Sequence, residues 1–396
     1  MMRAVRSAFV RLHDLLAGIS TPEGLDPIQL HLGESRLATP AIDFTPLTDI
    51  EGWTRYPRLG GTLQLRAAYS HWLERRFGVP QSLLGGKIAI EPTPGTKQAV
   101  AVAIALAVAR VRLSGDPAVI MPNPFYPAYR AGAEAAGAHP VFYTLKTGGE
   151  TAPIAAAVKA AGGRAAAIIV CNPGNPRGEI LPADALREVT KIAATAQAVL
   201  LVDECYTDLS LGQSPPGYLS LVKEGTVEPG EYLVLHSLSK RSGAPGLRSG
   251  FVAGAPSTVA AYAGYNRECG VSPPLPVSAV AAALWADDTQ VARARASLAR
   301  NWELADELLG GVPHYLRAQA GFFLWLPVTD DEETARQLWR DHALSVMPGR
   351  YLAGEGADGV NPGINHLRIA LIHDEALMRE ALTRLRDTLL TDASAR

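Results

Sequence analysis

A lysine flanked by hydroxyls stands in the middle of Ser237-Leu238-Ser239-Lys240-Arg241-Ser242-Gly243-Ala244-Pro245-Gly246-Leu247-Arg248. The apolar run Tyr232-Leu-Val-Leu-His236 precedes it, which places Lys240 at or just past the end of a strand. Desolvation and neighbouring cations lower the pKa of an amine and free its lone pair, so such a lysine can hold an aldehyde as a Schiff base. Ser237, Ser239 and Arg248 offer hydroxyl donors and a planar guanidinium fork, which is what a phosphate needs. An aldehyde that carries a phosphate is pyridoxal 5'-phosphate. The competing reading of the stretch is a solvated loop, the common fate of Ser/Lys/Arg clusters.

Other chemically suggestive residues also follow apolar runs. After Ile88–Ile90 comes Thr93-Pro94-Gly95-Thr96-Lys97, opening a helix expected from Gln98 to about Arg112. The free N–H groups of such a helix start form an anion site, or Thr96 is simply an N-cap. After Ala118–Met121 comes Pro122-Asn-Pro-Phe125-Tyr126-Pro127, whose aromatics could stack on a flat ring or fill the core. Asn172-Pro-Gly-Asn175-Pro-Arg177-Gly178 follows Ala166–Cys171 and fixes an amide side chain on an extended-then-turn path. Asp203-Glu204-Cys205-Tyr206 follows Val199–Val202, and a carboxylate there requires a cation, either a protonated ring nitrogen or a core arginine. Arg368, between Leu367 and Ile369, either binds a carboxylate or points out of a half-exposed strand.

The elements that carry these residues read as strands separated by helices, which spells an α/β fold with a mostly parallel sheet covered on both faces. Ligands of such sheets bind beyond the carboxyl ends of the strands, where each of the features up to Arg248 falls. A helix is expected over Leu63–Phe77, and a short strand over Gln29–Gly33 that ends in a turn glycine. From about Val291 charged amphipathic helices (Val291–Leu309, Glu332–His342) alternate with strands at Gly321–Leu326, Leu344–Met347 and His366–Leu371, a smaller α/β unit. The expected organisation is an N-terminal helix and arm over 1–45 that joins the small domain, a large cofactor-binding domain over 46–290, and a small domain over 291–396.

The chain has 396 residues and a net charge of -2, which gives it no general pull toward nucleic acid or anionic membranes. Its three widely spaced cysteines suit a reducing compartment. The amphipathic start, Met1–Gly18, lacks the apolar core of a signal peptide, and a soluble cytoplasmic protein is expected.

Taken together, Ser237-x-Ser-Lys240 with Arg248, Asn172-Pro-x-Asn175-Pro-x-Gly178, Asp203-x-x-Tyr206 and Arg368 resemble, in order and spacing, the fold-type I, class I/II pyridoxal-phosphate-dependent aminotransferases. The resemblance covers essentially the whole chain and implies a large domain with a seven-stranded sheet. By that resemblance Lys240 holds the cofactor and carries a proton, Asp203 pairs with the pyridinium nitrogen, and Asn175 and Tyr206 bond the phenolic oxygen. Tyr126 would stack on the ring, and Gly95, Thr96, Lys97, Ser237, Ser239 and Arg248 would cradle the phosphate. Tyr56 would reach the phosphate of a neighbouring subunit, which implies a homodimer. Arg368 would clamp the substrate α-carboxylate with Gly33 closing over it.

Within the family, Lys240–Gly254, Gly359–Gly363, Arg368–Leu371 and Phe9–Gly18 are most similar to succinyldiaminopimelate aminotransferases of lysine biosynthesis. That likeness implies transfer from glutamate to N-succinyl-2-amino-6-oxopimelate; a substrate so rich in carboxylates needs extra cations, for which Arg36, Arg58 and Arg267 are unassigned candidates. Three positions depart from the pattern: Ser35 after Gly33-Glu34, where proline is usual, Gly243 in place of asparagine, and Arg177 in place of threonine. Rival readings are an aspartate or aromatic aminotransferase, or a β-lyase, on the same scaffold. A cofactor-sensing regulator would need a DNA-binding segment ahead of the first strand, and a nicotinamide dehydrogenase would need a Gly-x-Gly-x-x-Gly turn. No zinc spacing and no Gly-x-Ser-x-Gly elbow is present.

Overall fold

The structure, a computed structural model, describes residues 7–35, 42–111, 115–145, 149–269 and 272–394. Its strands are β1 (Ile28–Gln29), β2 (Ala89–Thr93), β3 (Ala118–Pro122), β4 (His139–Tyr143), β5 (Ala165–Cys171) and β6 (Val199–Asp203). They continue with β7 (Tyr232–Ser237), β8 (Gly250–Gly254), β9 (Phe323–Pro327), β10 (Leu344–Ser345), β11 (Met347–Pro348) and β12 (His366–Ala370). Seven of them form one sheet in the order β2-β8-β7-β6-β5-β3-β4. Only β8 runs against its neighbours; the pairs from β7 to β4 are all parallel.

Every residue of β5, β6, β7 and β8 is buried, as a parallel-type sheet covered on both faces requires. One face packs on Tyr69, Trp72 and Trp285, the other on Val100, Ile104, Tyr129 and Tyr262. The fourth strand from the N-terminus, β4, shows no aliphatic run: it is His139-Pro-Val-Phe-Tyr143, at the sheet edge, where proline costs no ladder bond.

The helix Leu63–Phe77 has the expected bounds, with the Thr62 hydroxyl accepting from Leu65 N–H at 3.2 Å and Gly78 closing it at a φ of 66°. The next one, Thr96–Val111, starts earlier than its apolar pattern implies, so Thr96 and Lys97 form its first turn instead of preceding it.

The antiparallel sheet β11-β12-β9 packs Leu324, Leu326 and Ile369 against Leu298, Trp302 and Leu382 of the later helices. Two expectations need correction here. The strand over Gln29–Gly33 is only Ile28–Gln29, paired in parallel with β10, and Gly33 has no positive φ. The run Leu344–Met347 divides at Val346, with β10 in one sheet and β11 in another. A twisted small domain needs both pairings, and period-two alternation cannot reveal a change of partner between adjacent residues.

One contact between the large sheet's loops and the segment before β9 is unusually tight. Gly178 has a φ of +68°, its carbonyl accepts from Ala320 N–H at 3.1 Å, and a Cβ would lie 2.2 Å from Ala320 O. Gly178→Ala therefore combines left-handed strain with a backbone collision, and we expect a loss of about 2 kcal/mol or more in urea unfolding. An unchanged midpoint and slope would show that the loop accommodates the methyl group freely.

Candidate active site

The carboxyl ends of β3, β5, β6 and β7 and the start of helix Thr96–Val111 surround a cavity of about 230 Å³. Parallel strands place all their following loops at one edge, so residues from 96 to 248 meet there. The small domain closes the cavity with Arg368 on β12, Phe323 on β9 and Leu352, and the N-terminal segment adds Phe9 and Gly33.

At the floor lies Asp203, 5% exposed. Its two oxygens accept from Tyr129 Oη at 2.6 Å and from Cys205 N–H at 3.1 Å, and among the described residues no basic side chain pairs with it. Among the described residues there is thus no core arginine to neutralise it. A buried carboxylate with hydrogen bonds but no cation fits a protonated pyridine nitrogen entering from the cavity. Above it Asn175 Nδ2 donates to Tyr206 Oη at 3.3 Å, and burial holds the Tyr206 phenol well above its ordinary pKa. Tyr126 faces the cavity edge-on to Tyr129, with ring centroids 5.6 Å apart, and burial raises its phenol to about 12.

Lys240 sits on the one-turn helix Leu238–Arg241, just past β7, and its ammonium donates to the Gly33 carbonyl. Burial, reinforced by the Arg368 guanidinium and opposed by Cys205, Glu34 and Asp203, lowers its pKa from 10.5 to about 8. Gly33 is required here for closeness rather than for a turn: a Cβ would come 3.0 Å from Phe323 Cζ and 3.6 Å from Lys240 Nζ.

The other end of the cavity suits a phosphate. Ser237 Oγ bonds Ser239 Oγ at 3.0 Å, and the Thr96 and Lys97 N–H groups open the neighbouring helix without intrahelical partners. Gly95, at a φ of +94°, lies beneath Arg248, where a Cβ would be 2.4 Å from the guanidinium. Arg248 itself holds a left-handed backbone (φ 51°), strain of the kind that binding sites retain. Thr93, Gln98, Tyr262 and Asn266 buttress this turn through hydrogen bonds of 2.9–3.2 Å.

Arg368 does not point out of a half-exposed strand. It is 4% exposed, yet it has no described carboxylate partner. One terminal nitrogen donates to His31 O at 3.0 Å, the guanidinium lies 4.2 Å from the Phe323 ring centroid, and Nε is unpartnered. Burial lowers its pKa to about 10. A buried guanidinium with an unpartnered nitrogen can take up a ligand carboxylate.

Tyr56 is 98% exposed and does not line the cavity of its own chain. Arg58 and Arg267 are also exposed and outside the lining, and Arg36 lies outside the described residues. Arg177 turns away to Leu145 O (2.9 Å) and Glu179 (3.0 Å). The other two departures are neighbours: a Cβ on Gly243 would be 3.1 Å from Ser35 O, so the segment after Gly33 and the turn after Lys240 have room for each other. The motifs did not single out Tyr129, Cys205 or Phe323. Tyr129 is one helical turn from Tyr126 and Cys205 is enclosed by Asp203 and Tyr206, so proximity to the motifs was the available signal.

This fold and this set of groups define a pyridoxal-phosphate-dependent enzyme of fold type I. Residues 29–385 match the family model for aminotransferase class I and II, and the chain belongs to that family. It is 31% identical over 367 residues to 4-dedimethylamino-4-oxo-anhydrotetracycline transaminase OxyQ of Streptomyces rimosus, covering 92% of this chain and 94% of that one. It is 27% identical to the LL-diaminopimelate aminotransferase of Desulforudis audaxviator, covering 96% and 95%. Among solved structures, an aminotransferase from Neisseria meningitidis superposes with a TM-score of 0.89 at 30% identity, covering 98% of both chains.

A lowered pKa means that the Lys240 amine loses its proton as pH rises through about 8 instead of 10.5. In protein stripped of cofactor, labelling of Lys240 by an amine-reactive reagent should follow a midpoint near 8. A midpoint near that of free lysine would contradict the desolvated site.

Proposed function

We propose that the protein transfers an amino group from glutamate to N-succinyl-2-amino-6-oxopimelate, in two half-reactions through one site. The observation that carries the reading is Arg368, a buried guanidinium with no carboxylate partner among the described residues, in the same cavity as Lys240 and Asp203. Bound there, pyridoxal 5'-phosphate supplies an aldehyde that exchanges amines and a ring that withdraws electrons from the substrate α-carbon. Arg368 orients the α-carboxylate so that the α-hydrogen faces Lys240, whose lowered pKa suits it to take that proton from the α-carbon and deliver it to the carbon of the cofactor's aldehyde group. Asp203 keeps the ring nitrogen charged, and Tyr206 with Asn175 steadies the oxygen on the ring. Gly95, Thr96, Lys97, Ser237, Ser239 and Arg248 hold the phosphate. Fully exposed Tyr56 completes the same grip in a second copy of the chain, so the working unit is a homodimer.

The choice of acceptor rests on the stretches shared with succinyldiaminopimelate enzymes. Several relatives at 24–27% identity that bear the name LL-diaminopimelate aminotransferase add support. Lys97, exposed in the cavity lining, offers a cation for a distal carboxylate. A second reading, an acceptor with a bulky apolar body, is favoured by the lip of Phe9, Leu32, Phe323 and Leu352 and by the likeness to OxyQ.

Glutamate alone should bleach the visible band of the loaded enzyme, and the succinylated acceptor should restore it at least about tenfold faster than oxaloacetate or phenylpyruvate. A preference for the aromatic acceptor would establish the second reading instead. Borohydride reduction should leave a pyridoxyl group on the Lys240 peptide. Arg368→Gln should lower kcat/KM for both substrates by about 100-fold or more, because the carboxylate loses its charge-assisted partner.

A further inference from the structure

Beside the lysine stands an arginine that the reaction does not use. Lys240 and Arg241 end the helix Leu238–Arg241, and adjacent helical residues point about 100° apart. While Lys240 faces the cavity, Arg241 is 3% exposed on the far side, 5.5 Å from the ring centroids of both Trp72 and Trp285. Its two terminal nitrogens donate to different carboxylates, Asp208 at 2.7 Å and Asp288 at 2.6 Å. Asp208 also accepts from Arg76 Nε at 3.0 Å, Asp288 accepts from Arg75 Nε at 2.9 Å, and Arg76 donates to Thr207 O at 3.0 Å. Three guanidinium groups and two carboxylates thus form one network.

We propose that Arg241 is the positioning residue of Lys240, its guanidinium tying the helix that carries the lysine to the loop that carries Tyr206. A single turn has too few internal hydrogen bonds to hold its own orientation, and Ser242 N–H to Leu238 O, at 3.0 Å, is one of the few it has. The side-chain clamp therefore decides where Lys240 points. Asp208 lies two residues beyond Tyr206, so one bidentate cation sets the spacing between the proton carrier and the phenol. Arginine is needed for its fork: a lysine carries the charge but cannot bridge two carboxylates in fixed directions. The charged and titratable groups that face Lys240 itself come from elsewhere: Arg368 on β12, Glu34 in the N-terminal arm, and Asp203, Cys205 and Tyr206 at the end of β6. Arg241 acts on the lysine through the backbone.

The proposal rests on Lys240 being the attachment point of the cofactor, which the borohydride peptide tests separately. The experiment titrates the visible band of the holoenzyme and measures glutamate kinetics for the wild type, Arg241→Lys, Arg241→Met, Asp208→Asn and Arg75→Gln. Arg241→Lys and Asp208→Asn should each move the midpoint of the band by about half a pH unit or more. Each should also lower kcat about tenfold, with KM for glutamate changed less than about twofold. Their double variant should move the midpoint no further than the larger single one. Arg75→Gln, at the exposed end of the network, should leave midpoint and kcat unchanged.

If Arg241→Lys behaves like the wild type while Arg241→Met does not, the residue acts through charge alone and the proposal falls. It also falls if every variant keeps its midpoint and kcat and only melts earlier. A wild-type protein with no visible band would overturn the reading of Lys240 along with it; a band that none of the variants moves overturns this proposal alone. Should Arg241→Met fail to fold, the lysine and asparagine variants still decide.

Discussion

Asp203 is the constraint around which the molecule is arranged. A carboxylate at the end of a wholly buried strand pays a desolvation penalty of several kcal/mol, and two hydrogen bonds recover part of it without supplying a positive charge. Arg368 presents the same problem with the opposite sign across the cavity. Two buried charges of opposite sign, kept apart, select for a ligand assembly with a cation at one place and an anion at another. A pyridinium ring together with an amino or keto acid is such an assembly. Lys240 feels both charges, and burial lowers the pKa of its amine to about 8.

The sheet makes that placement possible. Because β3, β5, β6 and β7 run the same way, the loops that follow them share an edge, and the helix opening at Thr96 adds uncompensated N–H groups beside it. The reversed strand, β8, follows directly after Arg248 and lets the chain return along the sheet, so the arginine arrives over Gly95. The small domain contributes what the large sheet cannot, the buried guanidinium of Arg368 and the apolar side chains of Phe323 and Leu352.

Much of this was legible in the sequence because each motif follows a buried aliphatic run, and such runs show plainly in a parallel sheet. Twelve residues assigned from the motifs and the resemblance line one cavity, from Gly33 to Arg368. Gly95 lies just beneath that lining and Tyr56 apart from it. The edge strand β4 was invisible because an edge tolerates proline and half-exposed residues. Gly33 was legible as a glycine but not for the right reason, since close approach to Phe323 and Lys240 is a tertiary fact. Arg368 could not be resolved by strand periodicity, because its burial is set by the ring of Phe323 beneath it. Arg241 is hidden still more completely: its partners come from residues 208 and 288, and nothing local marks a charged side chain that turns inward.

The pairing of Ile28 with Leu344 joins segments that lie more than three hundred positions apart, and the arm that follows it delivers Gly33 to the lysine and His31 to Arg368. During translation the early segment emerges long before the strand it needs exists. The large sheet can collapse while the ribosome is still working, but Arg368 takes its place only after the last strands leave the exit tunnel. A chain cut short before β10 would carry the cavity residues from Phe9 to Phe323 and lack Leu352 and Arg368, so premature termination removes the buried guanidinium from the cavity wall.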